Sequence, residues 1–258
     1  MPLAGTLRDP LDIEQVRRLL FMAGLNAPCI FVMTFAVICT LGSFDVRASE
    51  EAVDRATQAA LELDAHPDRG ALQFKQYCAR CHGAEAQGDA AHAIPALAGQ
   101  RFKYIVRQLA NFAGAERDSA TMHHVVTQKE LRQPQTWVDI AAYLNNVPMV
   151  RHAQQGDGTH VALGRGIFHE QCASCHRRDA HGDAEGFVPS LRNQHYAYLV
   201  AQLQKLAEGN RHNVDEDLVR FLRSFDDQDV RATADYLSRL SGPGDVHKAM
   251  RRDGTVVD

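Results

Sequence analysis

Cys78-Ala79-Arg80-Cys81-His82 and Cys172-Ala173-Ser174-Cys175-His176 are the two stretches whose reading decides the architecture. Each is a pair of cysteines two residues apart, followed at once by histidine. At that spacing two thiols can form thioether bonds to one heme while the adjacent imidazole coordinates its iron. Exported chains also pair four cysteines as disulfides, and zinc takes Cys and His ligands. Neither alternative calls for a histidine directly after both pairs. Covalent attachment of two c-type hemes, through Cys78 and Cys81 and through Cys172 and Cys175, is therefore the expectation. His82 and His176 are the expected axial ligands.

Working outward, the shift of 94 residues that lays Cys78 on Cys172 also lays Gly70 on Gly164, Phe74 on Phe168, Gly88 on Gly182, Pro95 on Pro189 and Gln100 on Gln194. It continues through Tyr104 and Tyr198, Gln108 and Gln202, and Arg117 and Arg211. Ala142-Tyr143-Leu144 then meets Asp235-Tyr236-Leu237, so the copies slip by one residue, with Glu216 opposite Met122 if the first shift is carried on. The chain reads as one domain written twice.

Each copy reads as a small helical unit. Phe102, Ile105, Leu109 and Phe112 recur three or four apart, as do Tyr196, Leu199, Leu203 and Leu206. A closing helix carries Trp137, Ile140, Ala141 and Leu144 in one copy, and Val230, Ala234 and Leu237 in the other. No alternating strand pattern occurs, so the expected fold is all-α, two tandem domains with a heme completing each small core. Glu50 to His66 reads as an extra helix, with Val53, Ala60 and Leu61 on one side.

At the start of the chain, the apolar stretch from Leu19 to Gly42 follows Arg17 and Arg18 and precedes Val46-Arg47-Ala48, small or apolar where a signal peptidase reads. Residues 1–48 are the expected export signal. The stretch is also long enough for an uncleaved anchor, although Asn26 and Pro28 interrupt it. Cys29 and Cys39 lack the small residue expected before a lipidated cysteine. The expected divisions are a first domain over 49–151, a second over 152–241 and a flexible tail over 242–258. A net charge of −4 without a basic run argues against nucleic acid as a partner.

An iron held by a proximal histidine has one face left, and the ligand there sets its potential and its access to small molecules. Met122 is the candidate in the first copy, with His123 and His124 as alternatives and Met149 a poorer one. The second copy has no methionine between His176 and the end of its last helix, and Glu216, Asp217 and Leu218 are not heme ligands. Its iron is expected to be five-coordinate, to bind something external, or to take a histidine: His212 is the weak candidate, with His181 and His195 behind it.

Ile94-Pro95-Ala96-Leu97-Ala98-Gly99-Gln100, Tyr104-Ile105-Val106-Arg107-Gln108-Leu109 and Asp139-Ile140-Ala141-Ala142-Tyr143-Leu144, with their counterparts in the second copy, resemble the diheme cytochrome c4 family over about residues 65–240. The resemblance implies two class I cytochrome c domains related by pseudo-twofold symmetry, with methionine on both irons. It also implies that a carbonyl in the Pro95 and Pro189 loops steadies each proximal histidine. A periplasmic shuttle follows, soluble or tethered to the inner membrane, carrying electrons from a donor such as a quinol-oxidising complex to a terminal oxidase or reductase. The missing second methionine keeps open an enzyme, or a gas-binding protein, that uses the second heme.

Overall fold

The computed structural model describes residues 50–149, 153–211 and 213–240. The expected export signal or anchor, with Cys29 and Cys39, lies outside them, as do His212 and the expected tail. The described residues fall in one compact unit. No helix among them is long and apolar enough to cross a membrane.

Helix α1 covers 50–61, ending short of the expected His66, and buries Val53, Thr57 and Ala60. The first copy follows as α2 (Pro67–Tyr77), the single turn α3 (Ala79–His82), α4 (Phe102–Ala113), α5 (Ala120–Val126) and α6 (Pro134–Asn146). The second repeats it as α7 (Val161–Ile167), a π turn over Phe168–Cys172, α8 (Ala173–His176), α9 (Tyr196–Ala207), α10 (Glu216–Leu222) and α11 (Asp227–Ser238). Among the described residues the only extended pairing is two isolated bridges, Asp89 with Ile94 and Asp183 with Val188, so the all-α expectation holds.

In each copy the first and last helices cross at a glycine. A Cβ on Gly70 would lie 1.9 Å from the Asp139 carbonyl oxygen, and one on Gly164 would lie 1.9 Å from that of Ala232. Backbone contact this close tolerates no side chain. Beside the crossing, Phe74 meets Tyr143 at 5.5 Å and Phe168 meets Tyr236 at 5.7 Å, tilted ring pairs that extend each core. Trp137, Ile140, Ala141 and Leu144 are buried, as are Val230, Ala234 and Leu237. The periodic stripes thus mark the faces that pack.

The helices after the crossing correct the register. Ser119 caps α5 by accepting from the Met122 N–H at 3.3 Å, and Asp215 caps α10 by accepting from the Asp217 N–H at 2.7 Å. Laying cap on cap and buried Val126 on buried Leu222 places Leu218, not Glu216, opposite Met122. The slip is two residues gained before α10 and three lost after it. A rigid shift could not see this, because the length changes fall in loops of opposite sign.

The two copies are joined by polar bonds that obey the same twofold relation. Gln100 Nε2 donates to the Ser190 carbonyl at 2.9 Å, and its Oε1 accepts from the Ser190 N–H at 2.8 Å. Gln194 does the same to Ala96, with both bonds at 3.0 Å. Farther along the joint, Arg117 donates to Gln108 Oε1 at 2.6 Å, to the Tyr198 hydroxyl at 2.9 Å and to Gln202 Oε1 at 3.0 Å. Arg211 reciprocates toward Gln202 at 3.2 Å and the Tyr104 hydroxyl at 3.3 Å. Tyr104 and Gln108 sit four apart on α4, as Tyr198 and Gln202 do on α9, so each helix has a polar face beside its apolar stripe.

Candidate functional site

Each cysteine pair sits on one helical turn. The His82 and Cys81 N–H groups both donate to the Cys78 carbonyl, at 3.0 and 3.1 Å, which gathers 78, 81 and 82 around one turn. Cys78 and Cys172 are half-buried, whereas Cys81 and Cys175 are exposed. Burial pushes the Cys78 thiol up to about 12 and the Cys172 thiol to about 11, with the neighbouring cysteine adding to both. These are not the lowered-pKa thiols of a redox or nucleophilic site. The four cysteines are free of one another, and among the described residues no cluster of three or more His, Cys, Asp or Glu could hold a metal ion.

The loop after each turn folds back under its histidine. The Gly88 N–H donates to the His82 carbonyl at 2.8 Å and the Gly182 N–H to that of His176 at 2.9 Å, and each loop then closes through the bridge named above. Gly88 has φ +77, and a Cβ there would lie 2.5 Å from the Ile94 carbonyl oxygen; Gly182 has φ +73 and a clearance of 2.4 Å. Only glycine lets the returning strand approach so closely.

That return brings Pro95 to His82 and Pro189 to His176. In both copies imidazole Nδ1 lies 3.1 Å from the proline carbonyl oxygen. A carbonyl only accepts, so Nδ1 carries the proton and Nε2 keeps a free lone pair. Burial lowers the pKa of both histidines, against the opposing pull of that hydrogen bond, and keeps the rings neutral. A neutral imidazole oriented through Nδ1, one residue after a cysteine pair, is the donor set that an iron porphyrin with two thioether links takes. The residues fit that group in both halves.

Of the candidates for the remaining iron face, Met122 is half-buried in the first turn of α5. His123 Nδ1 donates to the Phe112 carbonyl at 2.8 Å, and His124 is exposed. Met149 packs on Gly99, where a Cβ would lie 2.7 Å from its Cε and Cγ. In the second half Leu218 holds the place of Met122, 37% exposed and with no ligand atom. His195 is excluded as a ligand: its Nδ1 accepts from the Gln154 N–H at 3.1 Å and its Nε2 donates to the Gln87 carbonyl at 2.8 Å. Burial, with Arg101 and Arg192, lowers the pKa of His181, whose carbonyl accepts from Arg101 Nε at 2.7 Å.

Two helical domains, each with a cysteine pair and a carbonyl-anchored imidazole, define a class: c-type cytochromes with two attachment sites. Residues 161–241 match the family model described as cytochrome c, and residues 65–144 match that of cytochrome c oxidase, cbb3-type, subunit III. The chain is 31% identical to a thiosulfate dehydrogenase electron acceptor of Stutzerimonas stutzeri, over 71% of its own length and 88% of that protein's. It is 28% identical to a cytochrome c4 of Pseudomonas aeruginosa, over 63% and 83%. The crystal structure of reduced recombinant cytochrome c4 from Pseudomonas stutzeri matches with a TM-score of 0.60 at 25% identity, covering 68% of this chain and 98% of that one. The chain belongs to the cytochrome c4-like diheme family, electron-transfer cytochromes of two class I domains with two covalently bound c-type hemes.

The joint between the copies is what sequence reading missed. Its signal was present, since Gln100, Tyr104, Gln108 and Arg117 each recur in the second copy. Repetition marked the positions without saying that they face one another.

Proposed function

We propose that this chain is exported by the signal in residues 1–48 and works in the periplasm, soluble or tethered to the inner membrane. There it carries electrons from a donor such as a quinol-oxidising complex to a terminal oxidase or reductase. The two domains span 49–151 and 152–241. Cys78 and Cys81 hold the first heme and Cys172 and Cys175 the second, with His82 and His176 as proximal ligands and Met122 completing the first iron. The observation that carries this reading is the pair of imidazoles, each fixed at Nδ1 by a proline carbonyl at 3.1 Å with Nε2 left free.

A bound heme supplies a one-electron couple whose potential follows its ligands. The chain's own part is orientation and exclusion of water. Pro95 and Pro189 hold each ring in one tautomer, the crossing helices close each core, and the polar joint keeps the halves together. The relative named as an electron acceptor of thiosulfate dehydrogenase supports the role of carrier, and makes a sulfur-oxyanion dehydrogenase a second kind of donor.

Leu218 at the place of Met122 favours one further reading: the second heme is open to an external ligand, as in an enzyme or a gas-binding protein. Mass spectrometry of the matured protein tests the foundation, with two added tetrapyrroles expected. A mass equal to the bare polypeptide overturns it. Redox titration is expected to give the heme on His176 the lower potential, and two similar high potentials count against that asymmetry. Carbon monoxide then separates the functions. Binding at one heme favours the open site, and no binding favours the plain carrier.

A further inference from the structure

The carbonyl that anchors each imidazole belongs to a peptide group whose other end is held by the opposite half. Pro95 C=O and Ala96 N–H are one amide. The oxygen accepts from His82 Nδ1 at 3.1 Å, and the N–H donates to Gln194 Oε1 at 3.0 Å. In the mirror site, Pro189 C=O accepts from His176 Nδ1 at 3.1 Å and Ser190 N–H donates to Gln100 Oε1 at 2.8 Å. Each glutamine also donates to the carbonyl of the residue it clasps, a two-point hold that orients the glutamine side chain on that residue's backbone. Gln100 is 7% exposed and Gln194 is 6% exposed, so water does not compete for these bonds.

We infer that Gln194 and Gln100 are positioning residues that tune the heme of the opposite half through this shared amide. The inference rests on His82 and His176 being the proximal ligands. Its sign follows from hydrogen-bond cooperativity. An amide whose N–H is engaged has a more negative oxygen and accepts more strongly. A stronger bond from Nδ1–H leaves the imidazole more anionic and a better donor through Nε2. That stabilises the ferric state and lowers the potential. Gln194 therefore lowers the potential of the first heme and Gln100 that of the second.

The test is the pair of single variants Gln194→Met and Gln100→Met, of similar length but without the polar ends. Heme content is read first, by mass, in the wild type and in each variant. Potentials of both hemes and the imidazole Nδ1–H resonances are then followed by redox titration and proton NMR. Gln194→Met is expected to raise the potential of the heme on His82 and move the His82 Nδ1–H resonance, leaving the His176 site unchanged. Gln100→Met is expected to do the reverse. Gln194→Glu, which keeps the accepting oxygen, is expected to bring the His82 resonance back toward its wild-type position. If either methionine variant does not fold, Gln194→Asn and Gln100→Asn carry the same crossed expectation in smaller size. Both hemes shifting together in a single variant, a shift only in the variant's own half, or no shift at all would overturn the inference. A wild type without two tetrapyrroles would instead sink the heme reading beneath it.

Discussion

Asp139 has no exposed surface and accepts from the His66 N–H at 2.9 Å, from Gln135 Nε2 at 3.0 Å and from Arg69 Nε. Burial alone would raise its pKa, but the bonds from Arg69, His66 and Gln135 outweigh it and hold the carboxyl below its usual range. A depressed folded pKa means stability that is present above the unfolded value of about 3.9 and is lost as pH falls through the lower, folded one. Asp139→Asn is expected to cost about 2 kcal/mol at pH 7. Urea unfolding at neutral and strongly acidic pH should show the gap between variant and wild type closing on acidification. At the distal positions, Met122→Ala should lower the first potential by on the order of a tenth of a volt, given an axial-ligand range of about 0.8 V. Leu218→Met should place a thioether opposite His176 and raise the second, both read by redox titration.

At the scale of elements, the crossing of α2 with α6 and of α7 with α11 decides whether each core closes. Gly70→Ala or Gly164→Ala pushes a methyl into a carbonyl and should cost about 3 kcal/mol, as overpacking does. Thermal melts followed in the helical circular dichroism band would register it, and an unshifted midpoint would mean the helices can separate freely. Most of these elements were legible in the sequence. Trp137, Ile140, Ala141 and Leu144 sit on a period that only a helix satisfies, and the cysteine motifs marked the turns that carry the two carbonyl-anchored imidazoles. Leu218 was not legible as the partner of Met122. Two opposite length changes in neighbouring loops nearly cancel, and caps such as Ser119 and Asp215 reveal the register only once the backbone is traced. His195 offered a lone histidine to sequence reading, yet both its nitrogens are taken by backbone groups that lie far away in the chain.

For the whole molecule, the joint is the feature with the largest reach. Arg117 and Arg211 are 8% and 9% exposed, and their described partners are phenols and amides. Arg117 also lies over the Phe112 ring, 4.8 Å from its centroid. Burial would raise the pKa of Tyr104, but the Arg211 and Arg117 guanidiniums outweigh it and draw it down. Arg117→Met removes three bonds, although Gln202 and Gln108 keep those from Arg211 and Asn213, and should cost about 2 kcal/mol. Combined with Tyr198→Phe in a double-mutant cycle, it should show a coupling of about 1 kcal/mol in denaturant unfolding. A coupling near zero would mean that the phenol contributes nothing to holding the halves together.

The clasp has a further consequence. Because Gln100 grips Ser190 as Gln194 grips Ala96, both sides of the clasp are made by equivalent residues. Such a surface is complementary to itself, the geometry of a closed pair of identical subunits. Within one polypeptide the two distal positions differ while that pairing stays intact, as Leu218 opposite Met122 shows.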